Sequence, residues 1–565
     1  MKEKLSKFAD GGAELLSRHG GFYLCFFLFN CLTMCLHMVS KNKTDVMLCY
    51  AAGMLLAELV IVWLLDKLPH KASKIIEYIL LLVAAVPFFI EAFVLYNYGA
   101  LIGIGVVASM LETNTKEAVE FVTMYAGPQE VIGLIVLIAL IVWLLVKKPW
   151  RRLELNQVGK RVLMSCLLVY TLIFSVRLGA EYVEVLYDPV VPVQRLAMSM
   201  STAIDNIKAY RELSEKLDSD IELTENKGKI KNVVFILGES TNRNHMHLYG
   251  YYLPNTPNLD ELLAKGEISV FRDVVSPHST TIAVLSKVFT FCHNESDKPW
   301  YEYHNLIDIM NSAGYKTYWL SNQESSGIWG NVAQIYANHS KVHAFTRIRD
   351  SREDDGLEDE ALFPLVDDAI ERRDTDKNFY VVHLMGGHGL YYNRFPYIFS
   401  KFSKDDITLP VSDDKKEVIA QYDNALYYND YVVSGIIDKF RNLDEDTIVI
   451  YLPDHGEAVY DEGGFAGHIE ENPSRHMIEV PFIIWGSDKF KQLHPEKWQA
   501  IQQAVNLPYM SDDMIHTVLD IVDIHTSDYE PERSLINRAY NNLRPRIFDD
   551  KDYDKEILTG LVQED

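Results

Sequence analysis

Thr447-Ile448-Val449-Ile450-Tyr451-Leu452-Pro453-Asp454-His455-Gly456-Glu457 is a short β-rich apolar run that stops on a turn. Carboxylate and imidazole stand side by side on a Gly-bent corner immediately after a strand. Four other runs have the same character: 232–237 (NVVFIL), 316–320 (KTYWL), 378–384 (NFYVVHL) and 480–485 (VPFIIW). Helical stretches lie between them, at 257–265, 304–313, 361–372 and 421–441. Strands alternating with helices predict an α/β domain with a mainly parallel sheet. Such sheets bind and react beyond the carboxyl ends of their strands.

The strand ends therefore carry the candidate chemistry. Gly238-Glu239-Ser240 follows the first run, and Met385-Gly386-Gly387-His388-Gly389 follows the third. Together with Asp454 and His455 they bring carboxylates and imidazoles to one rim, a donor set that suits zinc or a similar divalent ion. A nucleophile is sought in Ser276-Pro277-His278-Ser279-Thr280-Thr281, which precedes a helical pattern with apolar Val284, Leu285, Val288 and Phe289. A hydroxyl at a helix start faces free N–H groups and the positive dipole end. Ser279, Thr280 and Thr281 all qualify, and each is also a plain N-cap candidate.

Ahead of this domain the chain changes character. The 565 residues are 48% hydrophobic with a formal net charge of −25, and the apolar residues concentrate before about Ser175. Five runs approach the length of a membrane span: 21–40, 46–65, 76–96, 131–146 and 162–176. The Gly-rich segment 97–111 is a candidate re-entrant or interfacial piece. Lys2, Lys4, Lys7 and Arg18 precede the first run, and lysines and arginines fill the loops after the second and fourth. The loop 97–130 is acidic instead. The positive-inside tendency puts the N-terminus in the cytoplasm and everything after about Arg177 outside, against a weak contrary signal from Lys41 and Lys43. No small-residue cleavage site follows the first run, which is expected to be retained. The expected organisation is a transmembrane domain over 1–176, a membrane-surface linker over 177–231, amphipathic at 200–216, and an extracytoplasmic domain over 232–565. Glu58 and Glu91, inside apolar runs, are expected to face the helix bundle or lie near an interface, with a functional role as the alternative.

The acidic balance argues against nucleic acid as a partner. Five of the six cysteines lie in apolar runs and only Cys292 lies in the polar half. That half has neither an internal disulfide nor a cysteine-rich metal site.

Three further stretches complete the pattern: His247-Leu248-Tyr249-Gly250-Tyr251, Tyr422-Asp423-Asn424-Ala425-Leu426-Tyr427-Tyr428-Asn429-Asp430, and Glu471-Asn472-Pro473-Ser474-Arg475-His476-Met477. With Leu237-Gly238-Glu239-Ser240-Thr241, the 453–457 turn and the outer loop 111–118 (LETNTKEA), the chain resembles the bacterial phosphoethanolamine transferases of the sulfatase/alkaline phosphatase superfamily. The likeness is greatest to the branch acting on lipopolysaccharide core heptose. The resemblance implies a five-helix transmembrane domain, an inner-membrane multi-pass location and a sulfatase-like catalytic domain in the periplasm. It implies one or two zinc ions, with Glu239, Asp454, His455 and Thr281 as ligands and Thr281 as nucleophile, Thr280 being the competing register. It implies His388 and His468 as groups that hold the phosphoryl unit, bind a second metal or move a proton. His476, and Ser109, Thr113 and Glu117 of the outer loop, are implied substrate contacts. Phosphatidylethanolamine is the implied donor, and lipopolysaccharide or another envelope glycan the acceptor. The same superfamily leaves a phosphoglycerol transferase and a phosphodiesterase- or sulfatase-type hydrolase as alternatives. Lipid A transferases of the family carry disulfides in this domain, one around the nucleophile helix. Ser276 and Ser286 stand near those positions here, which weighs against the lipid A branch.

Overall fold

The computed structural model describes residues 2–41, 43–112, parts of 132–139, 191–214, 221–324, 332–347, 358–462, 464–548 and 551–558. The chain divides into two compact units, one mainly before Ile204 and the other mainly after it.

In the first unit three long helices, α1 (Lys2–Ser40), α2 (Thr44–Leu65) and α3 (His70–Tyr98), are followed by the shorter α4 (Ile104–Glu112). Within α1 to α3, Arg18–Ser40, Val46–Leu65 and His70–Tyr98 are long and apolar enough to cross a bilayer. The fourth and fifth expected spans, at 131–146 and 162–176, fall almost wholly outside the described residues. The segment expected as a re-entrant piece contains α4. Phe22, Phe26, Phe29 and Phe88 pack among Val62, Leu81 and Ala84 where these helices meet.

The carboxylates within these apolar helices face inward. Asn30 donates to Glu58 at 3.0 Å. Glu91 is fully buried. It takes both Nε and Nη2 of Arg195, each at 2.6 Å, and also accepts from the hydroxyl of Thr33. Arg195 belongs to α5 (Pro192–Ser214). A bidentate pair of this kind, buried in an apolar bundle, survives only when every charge is satisfied.

The second unit is built on seven strands: β1 (Asn232–Gly238), β2 (Ile268–Phe271), β3 (Lys316–Glu324), β4 (Val342–Arg347), β5 (Asn378–His383), β6 (Thr447–Pro453) and β7 (Phe482–Gly486). Their order across the sheet is β2-β7-β6-β1-β5-β3-β4. β1 runs parallel to both β5 and β6, and β3 runs parallel to β4 and β5. The mainly parallel expectation needs one correction: β7 is antiparallel to β6 and to β2, so the sheet is mixed. Beyond the expected boundary at 232, Leu223–Asn226 also pairs with Ile524–Thr526.

Every residue of β1, β5 and β6 is buried. Continuous apolar strands of this type need cover on both faces. Val233, Phe235 and Leu237 point to one face with Val284, Leu285 and Val288 of α6 (Thr281–Val288). The 29-residue helix α7 (Asp413–Arg441) covers the other, where Phe440 meets Tyr380 edge-on at 5.1 Å.

Candidate active site

The three central strands end together, and the candidate residues follow directly from their ends. Glu239 leaves β1, Asp454 and His455 leave β6, and the loop to His388 leaves β5. Ser240 adopts a positive φ of 49°, a conformation that costs a non-glycine residue about 1–3 kcal/mol and persists where the surroundings enforce it. Its N–H donates to Asp454 Oδ1 at 3.2 Å and its hydroxyl to Glu239 Oε1 at 2.8 Å. The turn thus fixes both carboxylates. Two glycines let neighbouring backbones close in. A Cβ on Gly386, where φ is 51°, would lie 2.4 Å from the carbonyl oxygen of Glu239, and one on Gly456 2.3 Å from that of His476.

One oxygen or nitrogen each from Glu239, Asp454 and His455 lies within 4.8 Å of the others, and all three side chains are buried. His455 Nδ1–H donates to the carbonyl of Gly456 at 2.8 Å. Its Nε2 lone pair is thereby turned toward Asp454 Oδ2 at 3.4 Å and Glu239 Oε1 at 3.5 Å. Asp454 Oδ2 is buried and meets no hydrogen-bond donor among the described residues. Burial, then the charge of Asp454, pushes the Glu239 carboxyl up to about 8. Burial, then the neighbouring His468, pushes His455 down to about 4. Two buried carboxylates, a neutral imidazole with its lone pair inward and an orphaned oxygen fit a divalent cation.

Thr281 starts α6, whose N-cap is Thr280. Its Oγ1 is 3.3 Å from Glu239 Oε2 and 3.5 Å from His455 Nε2. The Thr280 side chain makes no capping hydrogen bond. His468 packs beside His455, with ring centroids 4.2 Å apart. Glu457 Oε2 lies 2.7 Å from its Nδ1. Burial opposes charge on His468, and Glu457 outweighs it, raising the imidazole to about 9. His455, Glu457 and His468 form a second cluster with metal-ligand spacing. The His388 ring is 6.3 Å from that of His468. His476 falls elsewhere, beside Asn242 (3.3 Å) and Asp461 (3.6 Å), and belongs to neither cluster. Ser109 is exposed on α4, and Thr113 and Glu117 lie outside the described residues.

The structure adds residues that the sequence did not single out. Gln323, at the end of β3, donates to Glu239 Oε2 at 3.3 Å and to the carbonyl of Leu384. The strand-end rule that found Glu239 also reaches Gln323. Asp359 accepts from the N–H groups of Met385 and Gly386, holding the His388 loop. His245 is buried between Asp423 (2.9 Å) and Asp461 (2.8 Å). Asp461 sits in the hairpin connecting Ala458–Val459 to Ala466–Gly467, just before His468. The pair clamps that hairpin to α7.

Burial alone would lower the His245 pKa, and Asp461 and Asp423 override it to about 10. Tyr251, Tyr422 and His476 are the other titratable groups around it. Because the folded value lies above the ordinary one near 6.5, the clamp contributes fully below about pH 6.5 and is lost as pH rises through about 10, at about 1.4 kcal/mol per unit. His245→Ala leaves two facing carboxylates and is expected to cost about 3–5 kcal/mol. Thermal melting between pH 6 and 10.5 checks both points: the slope should flatten in His245→Gln, and equal slopes would contradict the clamp.

A mixed sheet covered by helices on both faces, with a carboxylate–imidazole cluster at its strand ends and the hydroxyl of a helix-starting threonine beside it, defines a sulfatase-type domain, and the sulfatase family profile matches residues 231–524. A second profile, phosphoethanolamine transferase EptA/EptB, matches residues 55–184. Phosphoethanolamine transferase CptA of Salmonella typhimurium is 30% identical over 466 residues, covering 78% of this chain and 79% of that one. Among solved structures, the C-terminal periplasmic domain of EptC from Escherichia coli in complex with zinc is 28% identical with a TM-score of 0.57, covering 60% of this chain and 97% of that one. The integral membrane protein EptA of Neisseria meningitidis, 19% identical, shares the fold over 92% of this chain and 97% of its own, with a TM-score of 0.64. The chain belongs to the phosphoethanolamine transferase family and is a transferase.

Proposed function

We propose that this protein transfers phosphoethanolamine from phosphatidylethanolamine to lipopolysaccharide, at core heptose, through a phosphothreonine at Thr281. The observation that carries this is the Thr281 hydroxyl at a helix start, against Glu239 and His455. Glu239, Asp454, His455 and Thr281 would hold the zinc, with His468, Glu457 and His388 placed to assist or to take a second ion. Zinc bound there favours the Thr281 alkoxide and offsets charge on the phosphoryl oxygens.

In the first half-reaction Thr281 Oγ1 forms a bond to phosphorus and the bond from phosphorus to the diacylglycerol oxygen breaks. One proton moves, net, from Thr281 to that departing oxygen, with His468 as carrier. Glu457 holds His468 by Nδ1 and leaves Nε2 for this exchange. His388 steadies the phosphoryl oxygens. In the second half-reaction an acceptor hydroxyl gives its proton to His468 and attacks phosphorus. The bond to Thr281 breaks and Thr281 regains the proton. His476, with Ser109, Thr113 and Glu117, is assigned to substrate binding.

The apolar helices and the EptA likeness support a multi-pass inner-membrane protein with its catalytic domain in the periplasm. The single cysteine of the catalytic half supports the core-heptose branch over lipid A. Mass spectrometry of lipopolysaccharide from cells with and without the protein tests the function. We expect a phosphoethanolamine-sized addition on core-sugar fragments only when the protein is present. Identical lipopolysaccharide from both would overturn it.

A further inference from the structure

The segment after His388 ends in an exposed apolar tip. Tyr397 is 91% and Ile398 86% exposed, although both are large apolar side chains. They form a short turn behind Pro396. Tyr392, beside them in the loop, is 48% exposed.

This tip stands on a rigid frame. Asn424 of α7 accepts from the N–H groups of Lys401 and Phe402, each at 2.8 Å, and donates to the carbonyl of Phe402. Phe399 packs edge-on against Tyr428 at 4.8 Å. The other end is tied to the active site. Arg394 donates to the carbonyls of His388 and Gly389, and the buried Tyr391 hydroxyl donates to Glu457 Oε1 at 2.7 Å. Glu457 is the group that holds His468.

A fixed loop that presents Tyr and Ile to solvent marks a contact with an apolar partner. Between Gly389 and Ser403 the exposed cation is Lys401, Arg394 being buried against the carbonyls of His388 and Gly389, and Lys404, Asp405 and Asp406 follow. An exposed tip of tyrosine and isoleucine suits the interface of a bilayer. The chain carries its own apolar helices, so a bilayer is present at high effective concentration.

We propose that Tyr397 and Ile398 insert into the bilayer interface and seat the His388–Glu457 rim against the lipid from which the donor is drawn. The choice of a lipid-borne donor rests on the function proposed above; the insertion itself does not.

The test uses the full chain in nanodiscs of phosphatidylethanolamine and phosphatidylglycerol. Ile398→Cys is labelled with bimane, and the signal of the parent protein's native cysteines is subtracted. The proposal expects a blue-shifted emission and at least about twofold quenching by nitroxide-labelled phospholipid. Water-like, unquenched emission overturns it. A blue shift without lipid quenching also overturns it, since a protein surface then covers the tip. In the kinetic arm, Tyr397→Ser/Ile398→Ser should raise KM about fivefold or more for donor in vesicles and leave kcat and KM unchanged for a short-chain soluble donor. Equal losses on both donors would assign the tip a structural role instead. The fluorescence uses no substrate, so a failure of the proposed transfer reaction leaves it able to decide.

Discussion

Thr281→Ala is expected to lower phosphoethanolamine transfer by about three orders of magnitude or more, with the fold intact. Loss of a covalent nucleophile removes the pathway itself, and effects of that size are usual for such groups. The half-buried methyl face of Thr281 is small, so the α6 packing of Val284, Leu285 and Val288 should survive. Thr281→Ser keeps the hydroxyl and should retain measurable transfer. Thr280→Ala should stay within about threefold of the parent, because that side chain caps nothing while Thr281 Oγ1 faces Glu239 and His455. Initial rates with a fluorescent phosphatidylethanolamine donor check the series. A Thr280→Ala variant as inactive as Thr281→Ala would contradict the assignment.

The second large effect concerns the metal ligands. Asp454→Ala/His455→Ala should abolish tight zinc binding in metal analysis and lower transfer more than about 100-fold. Losses of 10–100-fold are typical even when only the partners of ligands are removed. Stability should change sign with the metal. Without zinc and above about pH 8, where Glu239 ionises, Glu239 and Asp454 are two buried carboxylates in one site, so Asp454→Asn relieves a repulsion and should raise Tm. With zinc, the parent gains binding energy that the variant lacks, so Asp454→Asn should lower Tm. Melting curves with and without chelator read this directly. A variant that lowers Tm equally in both conditions would mean that the cluster is structural.

The centre of the site was legible because Glu239, Asp454 and His455 each follow immediately on an apolar run, and adjacent parallel strands must deliver their ends to one rim. The edges of the sheet were not. β4 is an edge strand, only partly buried, and Val342-His343-Ala344-Phe345-Thr346-Arg347 shows no apolar run. β2 has four residues, too few to stand out. The reversed direction of β7 depends on how the chain returns between His468 and Pro481, which no local pattern encodes. His245 was equally hidden. Its partners Asp423 and Asp461 are 178 and 216 residues away, so their meeting is a product of the whole fold. The exposure of Tyr397 and Ile398 was invisible too, since an apolar pair in sequence reads as buried.

The central claim is that Thr281 carries the phosphoethanolamine between donor and acceptor. It is tested most directly by incubating the full-length protein with phosphatidylethanolamine and no acceptor, quenching in acid, and sequencing the proteolytic peptides by tandem mass spectrometry. A phosphoethanolamine adduct on Thr281, absent from Thr281→Ala, is the predicted result; an unmodified Thr281 in protein that has released diacylglycerol would contradict it.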